Sequence, residues 1–179
     1  MAHWITHLFA ALAALLYPTT HFGDGAALAA GIDAAAREHP LPGPDGVAEM
    51  ARELAVLAAT EGHFDAGAIG RDQFGVSLGA YQLHETTLRW LGRSYAEAFD
   101  PMASAEIAAG LIVKSHEVCA EREPAHALGW YASGGAGCDV PEGLAASERR
   151  MRYAERLRAI PVYWAERRQI LTKIARDRG

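Results

Sequence analysis

The sequence predicts a mainly α-helical domain with one small loop or hairpin region. Three observations carry this: an alanine-rich chain with few β-branched residues, apolar positions recurring at intervals of 3 and 4, and Gly/Pro clusters that cut the chain into helix-length segments. At 179 residues, 50% of them hydrophobic and 22% charged, the chain can bury one core, which excludes collagen-like and disordered classes.

The elements follow in order. Residues 8–17 form a ten-residue apolar run ended by Pro18, too short for a membrane span of about 20 residues. It fits either the core of a signal or anchor segment or a packed first helix, and no Lys or Arg precedes it. Ala26–Glu38 reads as a helix, closed by the loop of Pro40, Pro42, Gly43 and Pro44. Asp45 offers an N-cap, after which Val47, Met50, Leu54, Leu57 and Glu61 share an arc of roughly 80° on one helix face. Gly62 stops that helix, and Phe64 to Leu83 reads as turns and short extended pieces.

Short helices are expected at Thr87–Trp90 and Ser94–Phe99, with Trp90 assigned to the core. A longer helix runs from Ala103 to Cys119, with Ile107, Leu111 and Val118 on related faces, and another from Pro124 to Tyr131. Ser147 is expected to cap a long basic helix that breaks or restarts near Pro161. The chain divides into residues 1–44 (the N-terminal helical segment and Pro/Gly loop), 45–160 (the main domain) and 161–179 (a basic C-terminal helix).

The net charge of -5 conceals an asymmetry, since residues 147–179 carry ten Arg or Lys against four Asp or Glu. This reads as a solvated helix face, and no aromatic-interleaved basic motif points to nucleic acid. Cys119 and Cys138 lack metal-ligand spacing and allow a single bridge, expected after export and not in a reducing cytosol. Neither His84-Glu85 nor His116-Glu117 completes a H-E-x-x-H zinc motif.

Glu61 carries the chemistry. A carboxylate at a helix C-terminus faces the negative pole of the dipole, and an apolar-stripe position removes water; both disfavour ionisation. A carboxyl group that keeps its proton is what a general acid for glycosidic cleavage needs.

Its surroundings sharpen the reading. The segment Glu61-Gly-His-Phe64, followed by Ser77-Leu-Gly79-Ala-Tyr81-Gln82, resembles the soluble lytic transglycosylase (SLT) family of the lysozyme-like superfamily, where Glu-Ser-x-Phe precedes Gly-Leu-Met-Gln. Phe99-Asp100-Pro101 and Trp130-Tyr131-Ala132-Ser133-Gly134 keep the family's order, so the resemblance spans about residues 50 to 157. It implies a lysozyme-like helical fold with its small hairpin region beside a substrate cleft. It also implies Glu61 as catalytic acid and base, and Gly79, Tyr81, Gln82, Trp130 and Tyr131 as substrate contacts. Three positions depart from the family pattern: Gly62 replaces Ser, Tyr81 replaces Met and Ala132 replaces Asn.

The implied activity is cleavage of the β-1,4 bond between N-acetylmuramic acid and N-acetylglucosamine in peptidoglycan strands, with no metal or organic cofactor. Action outside the cytoplasmic membrane follows, in the periplasm or wall or by phage delivery, with a membrane or assembly contact through the N-terminal segment. Such a family uses the substrate's acetamido group and 6-hydroxyl, so a second protein carboxylate is dispensable. A muramidase would instead want one, and Asp72 and Glu85 are the candidates, with Ser77 as a further auxiliary hydrogen-bonding group. Both carboxylates also read as loop braces, Asp72 for the turn leading to Ser77.

Two rivals remain. Gly75-Val-Ser77-Leu-Gly79 spells the nucleophile elbow of a serine esterase, with Asp100 and His116 or His126 following, but no strand-helix series surrounds it. A non-catalytic glycan-binding or assembly protein would keep the cleft without turnover, which the Gly62 and Ala132 departures motivate.

Overall fold

The structure is a computed structural model that describes residues 22–73, 75–121 and 127–155. The apolar run at 8–17, His126, Pro161 and the 161–179 segment lie outside the described residues. No helix among the described residues is long and apolar enough to cross a membrane.

Helix α1 (Phe22–Glu38) begins ahead of the expected Ala26 and ends before the proline loop, its last turn braced by Arg37 on Asp33 at 3.1 Å. Helix α2 (Gly46–Thr60) starts after Asp45, which takes the N-cap position without a side-chain cap bond. A three-stranded antiparallel meander follows: β1 (Ile69–Asp72), β2 (Gly75–Leu78) and β3 (Leu83–His84). Gly70 stands opposite Ser77, and Ser77 opposite His84. Then come α3 (Glu85–Trp90), α4 (Tyr95–Phe99), α5 (Pro101–Val118), α6 (Gly129–Ala132) and α7 (141–155).

Helix starts are encoded locally. Ser94 and Glu97 form a reciprocal capping box on α4. Asp100 accepts from the Ala103 N–H at 2.7 Å, with Pro101 in the first turn of α5. Arg93 joins α4 to α5 by pairing with Glu97 at 2.9 Å and Glu106 at 2.8 Å.

The core lies where α1, α2 and α5 pack together, with Leu28 and Ile32 facing Met50, Leu54, Leu57, Ile107 and Ile112. Ala105, Ala108 and Ala109 are fully buried, which brings α5 close to its neighbours. Leu78, Tyr81 and Leu83 extend the same core under the sheet.

Several expectations change. Val47 and Val118 are 38% and 47% exposed, because each sits in a terminal helical turn that overhangs the core. Trp90 is 70% exposed: α3 is six residues long and buries Leu88 instead. Ser147 is no cap, since α7 begins at 141 and Ser147 is buried within it. Pro141 sets that earlier start, as proline is tolerated in the first turn. The helix expected at Pro124 to Tyr131 is confined, within the described residues, to Gly129–Ala132.

Cys119, at the end of α5, is disulfide-bonded to Cys138, with Cα atoms 5.8 Å apart. The bridge ties the loop before α7 to the core helix.

Candidate active site

Glu61 is the C-terminal cap of α2, its N–H donating to the Leu57 carbonyl at 2.9 Å. The chain then reverses through His63 and Phe64, both in the left-handed region at φ 53° and 60°. Such residues cost about 1 kcal/mol each, and packing holds them here. Phe64 is 5% exposed, and its N–H donates to the Ala58 carbonyl at 2.8 Å.

Gly62 explains its own departure from the family pattern. A Cβ there would stand 2.5 Å from the Ala80 carbonyl oxygen and 2.6 Å from the Ala80 Cα. The turn bearing Glu61 therefore presses directly on the β2–β3 turn, and a serine does not fit between them.

A buried arginine holds the acid. Arg150 of α7 donates to Glu61 Oε1 through Nη2 at 2.7 Å and Nε at 3.3 Å. The Arg150 side chain is 6% exposed and that of Glu61 30%. The Arg150 guanidinium also lies over the Tyr131 ring, 5.4 Å from its centroid. The sequence expectation surrounded Glu61 with apolar groups and placed no cation beside it. The structure corrects this: the Arg150 guanidinium stands against Glu61 Oε1 at 2.7 Å.

Tyr131 is positioned from behind by Ser115 of α5. The Ser115 Oγ donates to the Ala127 carbonyl at 2.7 Å and accepts from the Tyr131 N–H at 3.1 Å. The Tyr131 hydroxyl donates to the Tyr81 carbonyl at 3.3 Å. Burial pushes the Tyr131 phenol well above its ordinary range, so it stays protonated; Arg150 opposes that shift and Glu61 adds to it.

A pocket of about 490 Å³ opens at Glu61 between the end of α2 and α7, lined by Thr60, His63, Arg149, Arg150, Arg152 and Tyr153 among others. Glu61 is the sole carboxylate among its described lining residues.

The other expected site residues fall elsewhere. Tyr81 is 1% exposed, so its ring fills the core and offers no face to a sugar, and burial also raises its phenol pKa. Gly79, at φ 74°, is a packing residue: a Cβ would run into the Ala98 carbonyl. Gln82 braces its own turn, with Nε2 donating to the Gly79 carbonyl at 2.9 Å. Asp72 Oδ1 accepts from the Gly75 N–H at 3.0 Å, and Glu85 Oε2 accepts from the Tyr95 hydroxyl at 2.9 Å. Trp130 is partly buried against the core. None of these, nor Ser77, lines the pocket at Glu61.

The esterase reading fails on geometry. Ser77 lies within β2 and not on a strand-to-helix turn. His116 is bonded to Glu53 of α2 at 3.1 Å.

The description Transglycosylase SLT domain belongs to a family model that matches residues 47–143, more than half of the chain. The chain belongs to this family. No curated protein and no solved structure matches it. The SLT match contains Glu61, the meander, α5 and Tyr131, and it ends before Arg150. Membership in the SLT family implies lysozyme-like action on peptidoglycan, and hence work outside the cytoplasmic membrane. Among the described residues no group of three His, Cys, Asp or Glu side chains gathers as a metal site.

Proposed function

We propose that the chain is a lytic transglycosylase that cleaves the β-1,4 bond from N-acetylmuramic acid to N-acetylglucosamine, with Glu61 as its single acid and base. The observation that carries the reading is Glu61 itself, half-buried at the end of α2, facing a pocket and standing beside Tyr131 within the SLT-matched span. Protonated Glu61 gives its proton to the glycosidic oxygen as the C1–O bond breaks. The substrate's acetamido oxygen shields the electron-poor C1. The muramic 6-hydroxyl then bonds to C1 while Glu61 takes up its proton, which leaves a 1,6-anhydro end and a regenerated acid.

The lack of a second carboxylate among the described pocket residues favours this route over hydrolysis, which needs a base or nucleophile for water. Residues 45–160 form the catalytic unit in this reading, and the setting is the periplasm or wall, or delivery by a phage. The Cys119–Cys138 bridge supports an oxidising compartment. The N-terminal segment supplies a membrane or assembly contact.

Digestion of purified sacculi followed by mass spectrometry of the released muropeptides tests the proposal. Anhydro ends, lost in the Glu61→Gln protein, are expected. Reducing ends would assign a muramidase, and binding without release a glycan-binding component.

A further inference from the structure

The pocket beside Glu61 is more basic than a neutral sugar requires. Arg149, Arg150 and Arg152 of α7 line it together with His63, and among the described lining residues Glu61 is the one carboxylate set against them. Arg152 reaches Glu148 only at 3.9 Å, with both side chains more than half exposed, so that pair neutralises little. Arg150 is deeply buried, yet its described acceptor is one oxygen of Glu61, and its Nη1 is buried with no hydrogen-bond partner among the described residues. Buried guanidinium donors are normally matched by acceptors.

N-acetylated sugars carry no charge to meet these arginines, whereas peptidoglycan carries carboxylates next to its sugars. They lie on the lactyl group of muramic acid where the peptide has been removed, and on the stem peptide where it remains. We infer that this pocket is a carboxylate-binding subsite for the glycan substrate, with exposed Arg149 and Arg152 attracting the anion and Arg150 shared between it and Glu61. The inference rests on the peptidoglycan reading and specifies which part of the polymer the site detects.

Sharing Arg150 couples the subsite to the acid. Both described side-chain bonds of Arg150 go to Glu61 Oε1, so a substrate carboxylate that takes a donor from Arg150 takes it from that pair.

The disaccharide N-acetylglucosaminyl-N-acetylmuramic acid lacks the scissile bond, so its binding can be titrated without turnover. Three forms are compared at low ionic strength by calorimetry: the free lactyl acid, its methylamide and the stem-peptide conjugate. At least one acidic form is expected to bind about tenfold more tightly than the methylamide, the effect of one charge-assisted contact. The Arg149→Gln/Arg152→Gln protein, altered at two exposed positions, should lose most of that preference. Glu61→Gln removes the competing carboxylate and should tighten the acidic forms more than the methylamide.

Preference for the lactyl acid alone assigns stripped strands as the source, and preference for the conjugate alone assigns the stem peptide. Equal binding of all three forms, or an undiminished preference in the double variant, overturns the subsite. Failure of the enzymatic reading shows separately, as unaltered sacculus lysis by the Glu61→Gln protein.

Discussion

Replacing Glu61 with alanine should destabilise the protein, although its side chain is 30% exposed and its proposed role is chemical. The reason is Arg150, whose 6% exposed side chain would lose both of its bonds to Glu61 Oε1 and keep, among the described residues, the face of Tyr131. Breaking a buried ion pair by deleting one partner costs about 3–5 kcal/mol. The pocket at Glu61 admits water to the vacated side, which places the expected loss near the lower limit, about 3 kcal/mol. For a chain of this size that lowers the melting temperature by roughly 6–12 °C. Arg150→Met should cost less, because the freed Glu61 carboxylate can hydrate. In the double variant the unpaired cation is gone, so the combined loss should fall short of the sum by at least about 1 kcal/mol. Thermal unfolding followed by circular dichroism at pH 7 measures all three proteins. A Glu61→Ala midpoint within about 2 °C of wild type, or losses additive within about 0.5 kcal/mol, would refute the buried-pair argument.

Three further outcomes are expected. Gly62→Ser, although it restores the family's usual residue, should destabilise by about 1–3 kcal/mol, because its Cβ overlaps the Ala80 backbone; a urea midpoint unchanged from wild type would contradict this. Reduction of Cys119–Cys138, which closes a loop of 19 residues separation, should cost about 3 kcal/mol by the chain-entropy relation; denaturation with and without dithiothreitol reads the difference. The Glu97 carboxyl is held below its ordinary range by the Ser94 N–H first, then by Arg93 and the Ser94 hydroxyl. A depressed carboxyl contributes stability above its unfolded pKa and loses it as pH falls through the folded value. Glu97→Gln should therefore flatten the acid limb of the stability profile, and an NMR titration of the Glu97 side chain should place its midpoint below that of an unstructured glutamate.

The parts of the fold legible in the sequence are those set by local physics. Met50, Leu54 and Leu57 are fully buried, as their 3-and-4 spacing requires, and the same spacing puts Glu61 at the end of their stripe. The helix expected at Ser94–Phe99 forms at Tyr95–Phe99 behind the Ser94 cap, and the one expected from Ala103 starts two residues earlier, at Pro101 behind the Asp100 cap. Periodicity gives the direction of a side chain but not where the neighbouring element ends, which is why Val47 and Val118 emerge from the core. Residue type misleads in the same way at Trp90, whose helix is too short to carry a large ring inward. Tyr81 shows the converse error, since a motif position expected in the cleft is occupied by a ring that packs beneath the sheet.

The site divides along the same line. The half around Glu61 was readable because the motif, the helix end and the Gly62 departure lie within four consecutive residues. The half supplied by α7 was not, because Arg150 is 89 residues from Glu61 and belongs to a segment whose excess of arginine reads as a solvated face. That reading holds for Arg149 and Arg152, which are exposed, and fails for the residue between their positions in sequence. On a helix, positions 149, 150 and 152 point about 100° or more apart from their nearest neighbours in sequence, so one register of α7 buries a single arginine while leaving the others in water. The register is fixed by what that arginine meets. Glu61 and the Tyr131 face form the one described arrangement that makes its burial tolerable, and a helix rotated by one residue would leave a guanidinium in the core without either partner. The acid proposed to carry the chemistry is thus also the group that seats α7, which binds the basic segment to the state of Glu61.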